Sequence, residues 1–326
     1  MKHHRRSFAR TVLASGAATI IAGVARAQSW PSRPIRLIVP FATGGGSDFI
    51  GRFMAQRLGQ SLGQPVVVEN RPGAGSTLGI EMVVKSPADG HTFGLIASSY
   101  TVTPSLYKLR FDPVADITPV IQFSQGPMLV VVPKALPVNS FADLLALARA
   151  KPGALNYASA GQGSITHLAC ALFADMAGVQ MTHIPYKGTG PALTDTISGQ
   201  TQLFFSSTAT ALPHVQSGAL RVLAVTTRER LPTLAAVPTI AESGLPAYDV
   251  PLWHGMIGPA GIDPAIIARL VAESRRTLSL RETAEQLAQD GVAPAPEGSP
   301  EQFRQRIRTE IEQWRGVIGR AGVRLE

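Results

Sequence analysis

The sequence predicts an α/β fold in two domains. Short β-branched runs alternate with longer stretches of helical period along most of the chain, the pattern of parallel strands covered by helices. At 326 residues the chain exceeds what one hydrophobic core usually supports. Two apolar segments punctuated by Pro and Gly, "FDPVADITPVIQFSQGPMLVVVP" and "GLPAYDVPLWHGMIGPAG", break the rhythm where the chain would cross between domains. Each domain is therefore expected to be a mainly parallel sheet with flanking helices, with the two crossing strands as a hinge. Residues 128–250 would form a continuous second domain, and 28–127 plus 251–326 the first. A cleft between hinged α/β domains suits a small ligand.

Taken in order, the chain begins with "MKHHRRSFARTVLASGAATIIAGVARAQ", which reads as an export signal over 1–27. Its start is basic (Lys2, Arg5, Arg6, Arg10), 12–24 is weakly apolar, and Ala25-Arg26-Ala27 is a small-x-small cleavage site. Cleavage near Ala27 would leave a chain starting at Gln28. Arg5-Arg6-Ser7-Phe8 resembles a twin-arginine signal, with Ala9 where leucine is usual. No later segment is long and apolar enough to span a bilayer. Strand-like "IRLIVP" then precedes a helical pattern over 48–62, "PVVVEN" precedes 76–85, and "TFGLIA" precedes a loop. The alternation resumes with "MLVVVP" and 140–150, "LNYAS" and 164–177, "MTHIP" and 190–198, "TQLFFSS" and 209–217, and "LRVLAVT". From 264 to 320 the pattern is almost wholly helical, with breaks at Gly291 and "APAPEGSP".

Charge excludes one class of partner. The full chain carries +8, but residues 1–27 hold five basic residues (Lys2, Arg5, Arg6, Arg10, Arg26) and no acid, leaving +3. The remaining Lys and Arg are scattered, so no phosphate-binding footprint forms and nucleic acid is not expected. The single cysteine, Cys170, lies in apolar "HLACALF", with His167 one helical turn away. A buried structural thiol is the plainer reading, and a catalytic thiol the alternative.

In open parallel sheets ligands collect at the carboxyl ends of the strands, so the loops after the strands carry the candidate site. After "IRLIVP" come Phe41, Thr43, Gly44, Gly45, Gly46 and Ser47, with Asp48 following. Glycine lets a backbone approach a ligand closely, and a helix starting behind it points free N–H groups and a partial positive charge into the turn. The alternative is a tight strand-to-helix bend that binds nothing. After the third strand come Ser98, Ser99, Tyr100 and Thr101. In the second domain Gly161, Gln162, Gly163 and Ser164 repeat the glycine turn ahead of a helix, where Ser164 is a ligand donor or a plain N-cap. Lys187 in "PYKGTGPA" and Ser206 and Ser207 in "FFSSTATALPH" are further donors or simply polar loop residues.

Reaction templates fit poorly. "GQGSI" is not a G-x-S-x-G elbow, no H-E-x-x-H or paired-cysteine metal spacing occurs, and "RPGAGSTLG" only loosely echoes a dinucleotide turn with no acid about 20 residues on. No metal and no cofactor is expected. The pattern offers donors that hold an anion.

At these residues the chain resembles a known family. "PIRLIVPFATGGGSDFIGRFMAQRLGQSLGQPVVVENRPGAGSTLG", "LNYASAGQGSITHLA", "HIPYKGTGPALTDTISGQ", "ALPHVQSGALRVLAVTT" and "VPTIAESGLP" are similar to the tripartite tricarboxylate transporter substrate-binding proteins, the Bug family, over nearly all of 30–326. The resemblance implies a two-domain periplasmic-binding-protein fold (type II-like, a Venus flytrap) in the periplasm. It implies capture of a small carboxylate and delivery to an integral-membrane permease, without catalysis, and a monomer is expected. Carried over by position, the family's ligand loops fall on 41–48, on Ser98 to Thr101 and on Gly161 to Ser164. Three departures surround the cleft: Ser206 stands where the family often has aspartate, "ASSYTVTPSLY" is a residue shorter than usual, and "WHG" replaces the usual aromatic after Trp253.

These neutral loops favour a ligand with carboxylates and no amine, because a buried ammonium would need an acid partner. Tyr100, Trp253 and Phe205 leave an aromatic acid open beside di- and tricarboxylates. Two other classes remain: a periplasmic hydrolase using Ser164 or Cys170 with His167, and a ligand-sensing partner of a membrane sensor. Asp48 is expected to brace its turn, since a carboxylate beside a bound anion would repel it.

Overall fold

The β-branched run after Pro34 forms β1 (Ile35–Val39), and the glycine turn behind it leads into α1 (Gly46–Leu62). The computed structural model describes residues 30–289, 291–296 and 298–323, so the export signal read at 1–27 lies outside them. The chain continues through β2 (Val66–Asn70), α2 (Thr77–Val84), β3 (Thr92–Ala97), a single 3-10 turn at Ser98–Thr101, and the short α3 (Thr103–Leu106). β4 (Ile117–Gly126) passes through Pro127 into β5 (Met128–Pro133). Strands and helices then alternate: α4 (Phe141–Ala150), β6 (Asn156–Ser159), α5 (Ile165–Ala177), β7 (Thr182–Pro185), α6 (Thr189–Ile197), β8 (Leu203–Ser207), α7 (Thr208–Gln216) and β9 (Leu220–Val225). The chain returns through β10 (Leu252–Pro259) to α8 (Pro264–Leu278), α9 (Arg281–Gln289), the two-residue β11 (Ala293–Pro294) and α10 (Pro300–Ala321).

These strands make two sheets, ordered β11-β4-β10-β3-β1-β2 and β7-β6-β8-β5-β9. β1 pairs in parallel with β2 and β3, and β6 with β7 and β8. β10 runs antiparallel to β3 and β4, β11 to β4, and β5 to β8 and β9, so each sheet is mixed where the sequence suggests mainly parallel ones. The crossing explains the reversal. β4 leaves the first sheet at the carboxyl ends of its parallel strands, and one residue later β5 enters the second sheet beside the carboxyl end of β8, with Met128 opposite Ser207. A strand entering at that edge must run against its neighbours, and β10 does the same on the way back.

The two crossings are clipped together by Thr226. Its hydroxyl accepts the Met128 N–H (2.8 Å) and donates to the Val250 carbonyl (2.8 Å), while its own N–H donates to the Met128 carbonyl and its carbonyl accepts the Val250 N–H.

Helix α10 belongs to both halves. Its apolar positions fall three and four apart, giving one stripe along the helix. Phe303, Ile307 and Ile311 pack with Trp253 and Ile257 of the first sheet and with Ile80 of α2. Trp314, Val317 and Ile318 instead join the core formed by β5, α4 and α5. The sequence reading that groups all of 251–326 with the first domain misses this, because the stripe looks the same whichever core receives it.

Candidate ligand cleft

Strand register brings the candidate loops to one edge. Val39 lies opposite Asn70, so β1 and β2 end together, while β3, with Gly94 opposite Ile38, runs on to Ala97 at the same edge, where β10 begins with His254 opposite both Ala97 and Ser124. In the second sheet β6 and β7 end together, Ser159 opposite Pro185, and Ser207 closes β8 beside the entry of β5. Because β4 and β5 are one residue apart, the two carboxyl edges meet at Pro127.

The first loop is built around Asp48. The residue is only 3% exposed, and its carboxylate accepts the Gly44 N–H (2.9 Å), Arg52 Nε (3.0 Å) and Asn70 Nδ2 (2.8 Å). Asn70 also donates to the Phe41 carbonyl (3.1 Å), and Arg52 to Asn70 Oδ1 (2.8 Å). The acid is thus committed to the turn, the bracing role the sequence suggests. Thr43, Gly44 and Gly45 are exposed, and Phe41, Gly46 and Ser47 half-buried. Gly44 sits at φ +87°, a conformation side chains disfavour. No side chain caps the first turn of α1, so its leading N–H groups lack the usual capping oxygen. Ser47 Oγ reaches His254 Nε2 at 3.1 Å, and His254 Nδ1 lies 3.1 Å from Ser124 Oγ. Burial lowers the His254 pKa to about 4, so the ring is neutral near pH 7.

The turn after β3 points largely inward. Ser98 is buried and Ser99 half-buried. Tyr100 is 2% exposed and donates its hydroxyl to the Pro113 carbonyl (2.7 Å), which places it in the core. Thr101 donates to the Ser98 carbonyl (2.9 Å) and lies 3.0 Å from Glu310. Glu310 also accepts Trp253 Nε1 (3.0 Å) and Arg306 Nε (2.9 Å); burial raises its pKa, against the opposing charge of Arg306. Beside this cluster a cavity of about 450 Å³ is lined by Ser98, Ile165, Asp249, Arg306, Glu310 and Trp314.

The second glycine turn rests on a histidine stack. Gly161 (φ +130°) would bring a Cβ to 3.2 Å from the Tyr186 carbonyl, so the turn needs glycine there. Ser164 is the N-cap of α5, accepting the His167 N–H (3.3 Å) and sharing a hydrogen bond with Thr166 Oγ1 (3.0 Å). Gln162 is exposed between Gly161 and Gly163. The Gly163 N–H donates to His167 Nδ1 (3.1 Å), and His183 Nε2 lies 2.6 Å from Ser159 Oγ. The two rings stack at 3.7 Å, with Tyr157 against His183 at 4.9 Å. Burial lowers His167 to about 3, aided by repulsion from His183, and lowers His183 to about 4. Ser206 is buried and donates to the Ser207 carbonyl (3.3 Å); Ser207 Oγ lies 2.7 Å from Thr210 Oγ1. Lys187 is exposed.

The hydrolase arrangement is not assembled. Ser164 meets the His167 backbone and not its ring. Cys170 is fully buried, and burial pushes its thiol well above its ordinary pKa. Among the described residues no group of three His, Cys, Asp or Glu could hold a metal ion, and no helix is long and apolar enough to cross a membrane. Sequence reasoning misses Asn70 and Glu310 as parts of this region, and places His254 beside the cleft without its partners Ser47 and Ser124. Only His254 leaves a signal, the unusual residue after Trp253.

Two α/β halves joined at their carboxyl edges, each offering a glycine turn ahead of a helix, define a two-domain solute-binding protein. The chain belongs to the tripartite tricarboxylate transporter family of receptors, whose family model matches residues 50–323. Protein BugT of Bordetella pertussis is 37% identical over 309 residues, covering 94% of each chain. The structure of R. palustris Rpa4515 with adipate aligns with a TM-score of 0.78 at 37% identity, over 91% of this chain and all of that one. MatC of Rhodopseudomonas palustris with bound malate aligns at 0.74 and 32% identity, over 89% and 100%. Structural neighbours include the periplasmic binding protein BugD, at a TM-score of 0.75 and 32% identity.

Proposed function

We propose that this chain, exported and cleaved near Ala27, captures a small aliphatic di- or tricarboxylate in the periplasm and delivers it to a tripartite tricarboxylate-type membrane permease. Residues 28–127 with 251–326 act as one jaw and 128–250 as the other, hinged at the clipped crossings, with the far half of α10 riding on the second jaw. One observation carries the reading: the only acid of the first loop is fully engaged by Gly44, Arg52 and Asn70, while the first turn of α1 behind it is left without a side-chain cap. A helix start of this kind stabilises an anion by about 0.3–1 kcal/mol, and up to ~2 when partly buried. Phe41 to Ser47 and Gly161 to Ser164 are the proposed ligand loops, with Ser98, Ser99, Ser206 and Ser207 beside them.

The aliphatic form is favoured because Tyr100, Trp253 and Phe205 are all core side chains. Tyr100 and Trp253 also have their polar atoms engaged by Pro113 and Glu310. Adipate and malate in the relatives belong to the same chemical class.

Thermal-shift and calorimetric screening of the chain from Gln28 tests the reading. A fitting dicarboxylate at a hundredfold excess over its Kd should add about 2.7 kcal/mol of stability. Stabilisation by amino acids alone, or ester turnover abolished by Ser164→Ala, would refute it.

A further inference from the structure

His254 touches two hydroxyls at once. It stands on β10 at the carboxyl edge, 8% exposed, between Ser47 of the first turn of α1 and Ser124 of β4. The direction of both hydrogen bonds follows from Ser124. That side chain is fully buried, and among the described residues the ring of His254 is the partner of its hydroxyl. A Ser124 O–H aimed elsewhere would be a buried donor without an acceptor, which folded proteins avoid. Ser124 therefore donates to Nδ1, and the proton of the neutral ring resides on Nε2. From there the ring donates to Ser47 Oγ. One lone pair of Ser47 is taken, and its own O–H is left to point toward the turn.

We infer that His254 is a positioning residue that makes Ser47 a hydrogen-bond donor to the bound carboxylate and, by occupying one of its two lone pairs, leaves it a poorer acceptor for a group such as an ammonium. This rests on the carboxylate reading of the first loop. The chain Ser124 to His254 to Ser47 to ligand is polarised in one direction, so each bond strengthens the next without net proton transfer. It also ties the ligand loop to β4, two residues before that strand leaves the sheet.

The test uses the full chain labelled with 15N-histidine, with adipate and malate as probes. NMR at pH 7 should show His254 as the neutral Nε2–H tautomer both without and with the probe. An Nδ1–H tautomer or a charged ring would overturn the proposal, and this measurement needs no variant to fold. Calorimetry on Ser47→Ala, His254→Phe and the double variant supplies the second readout. Each single change should weaken binding of the better probe roughly tenfold, a loss typical of one hydrogen bond to a charged group. The double variant should bind no more weakly than either single one, because the loss in His254→Phe acts through the Ser47 hydroxyl that Ser47→Ala removes. His254→Phe should also narrow the preference for malate over aspartate. Additive losses, or wild-type affinity in His254→Phe while Ser47→Ala is impaired, would remove the role of His254 and leave the carboxylate reading standing. A wild-type chain that binds no carboxylate would remove both.

Discussion

Replacing Asp48 with alanine takes the acceptor from three donors at once. Burial alone raises the pKa of this carboxyl, but the bonds from Arg52, Gly44 and Asn70 outweigh it and hold the group below its ordinary value. Its contribution to stability is therefore present above the ordinary carboxylate range and is lost as pH falls through the depressed folded value. Asp48→Ala should lower the urea midpoint by the equivalent of about 2 kcal/mol, since Gly44 and Asn70 lose an acceptor. The order of preference among mono-, di- and tricarboxylates should stay the same; a stable variant with a changed order would show that Asp48 meets the ligand. Tyr100→Phe should cost about 1 kcal/mol through the Pro113 carbonyl and leave ligand affinity within roughly twofold. The sequence shows the role of Asp48 through charge, since a carboxylate beside a bound anion would repel it, and two of its partners, Gly44 and Arg52, lie only four residues away. It hides those of Tyr100 and His254, whose partners lie 13 and 207 residues off, where no local pattern reaches.

At the level of elements, the alternation of strands and helices is legible because side-chain periodicity is a local property. Strand direction is not, since β5 and β10 read as apolar runs whichever way they enter a sheet. The same blindness applies to α10, whose single stripe enters two cores. Trp314→Ala should destabilise the protein by about 3–5 kcal/mol, the usual cost of emptying a buried aromatic site. The loss should be uneven. Amide hydrogen exchange should quicken more in α5, which packs against the far half of α10, than in α1, which does not share that core. Equal acceleration in both helices would show that the two halves open as one unit.

Across the whole molecule, the buried imidazoles of His167 and His254 and the half-buried one of His183 share one electrostatic direction. His167 is depressed to about 3, and His183 and His254 to about 4, chiefly by burial. Their unfolded value is about 6.5, so the folded state binds fewer protons below that pH. Stability from these groups is complete above pH of about 6.5 and is lost as pH falls toward the folded values. Asp249 and Glu310, raised by burial, oppose this trend at the acid end. The melting temperature should therefore fall as pH drops from about 7 to about 4.5. In His167→Asn, which keeps an acceptor for the Gly163 N–H, the slope should be shallower. An unchanged slope would mean that the histidine stack takes no part in acid sensitivity.

The path of α10 also decides where the ends of the described chain lie. Trp30 is anchored to the first half, where its indole donates to the Gly90 carbonyl, while Val323 packs into the core of the second. Fluorophores attached at the exposed Ser32 and Ala321 would thus ride on the two opposite jaws proposed above. Energy transfer between them would read any ligand-driven closure directly, making the molecule a carboxylate biosensor without internal insertion of a reporter.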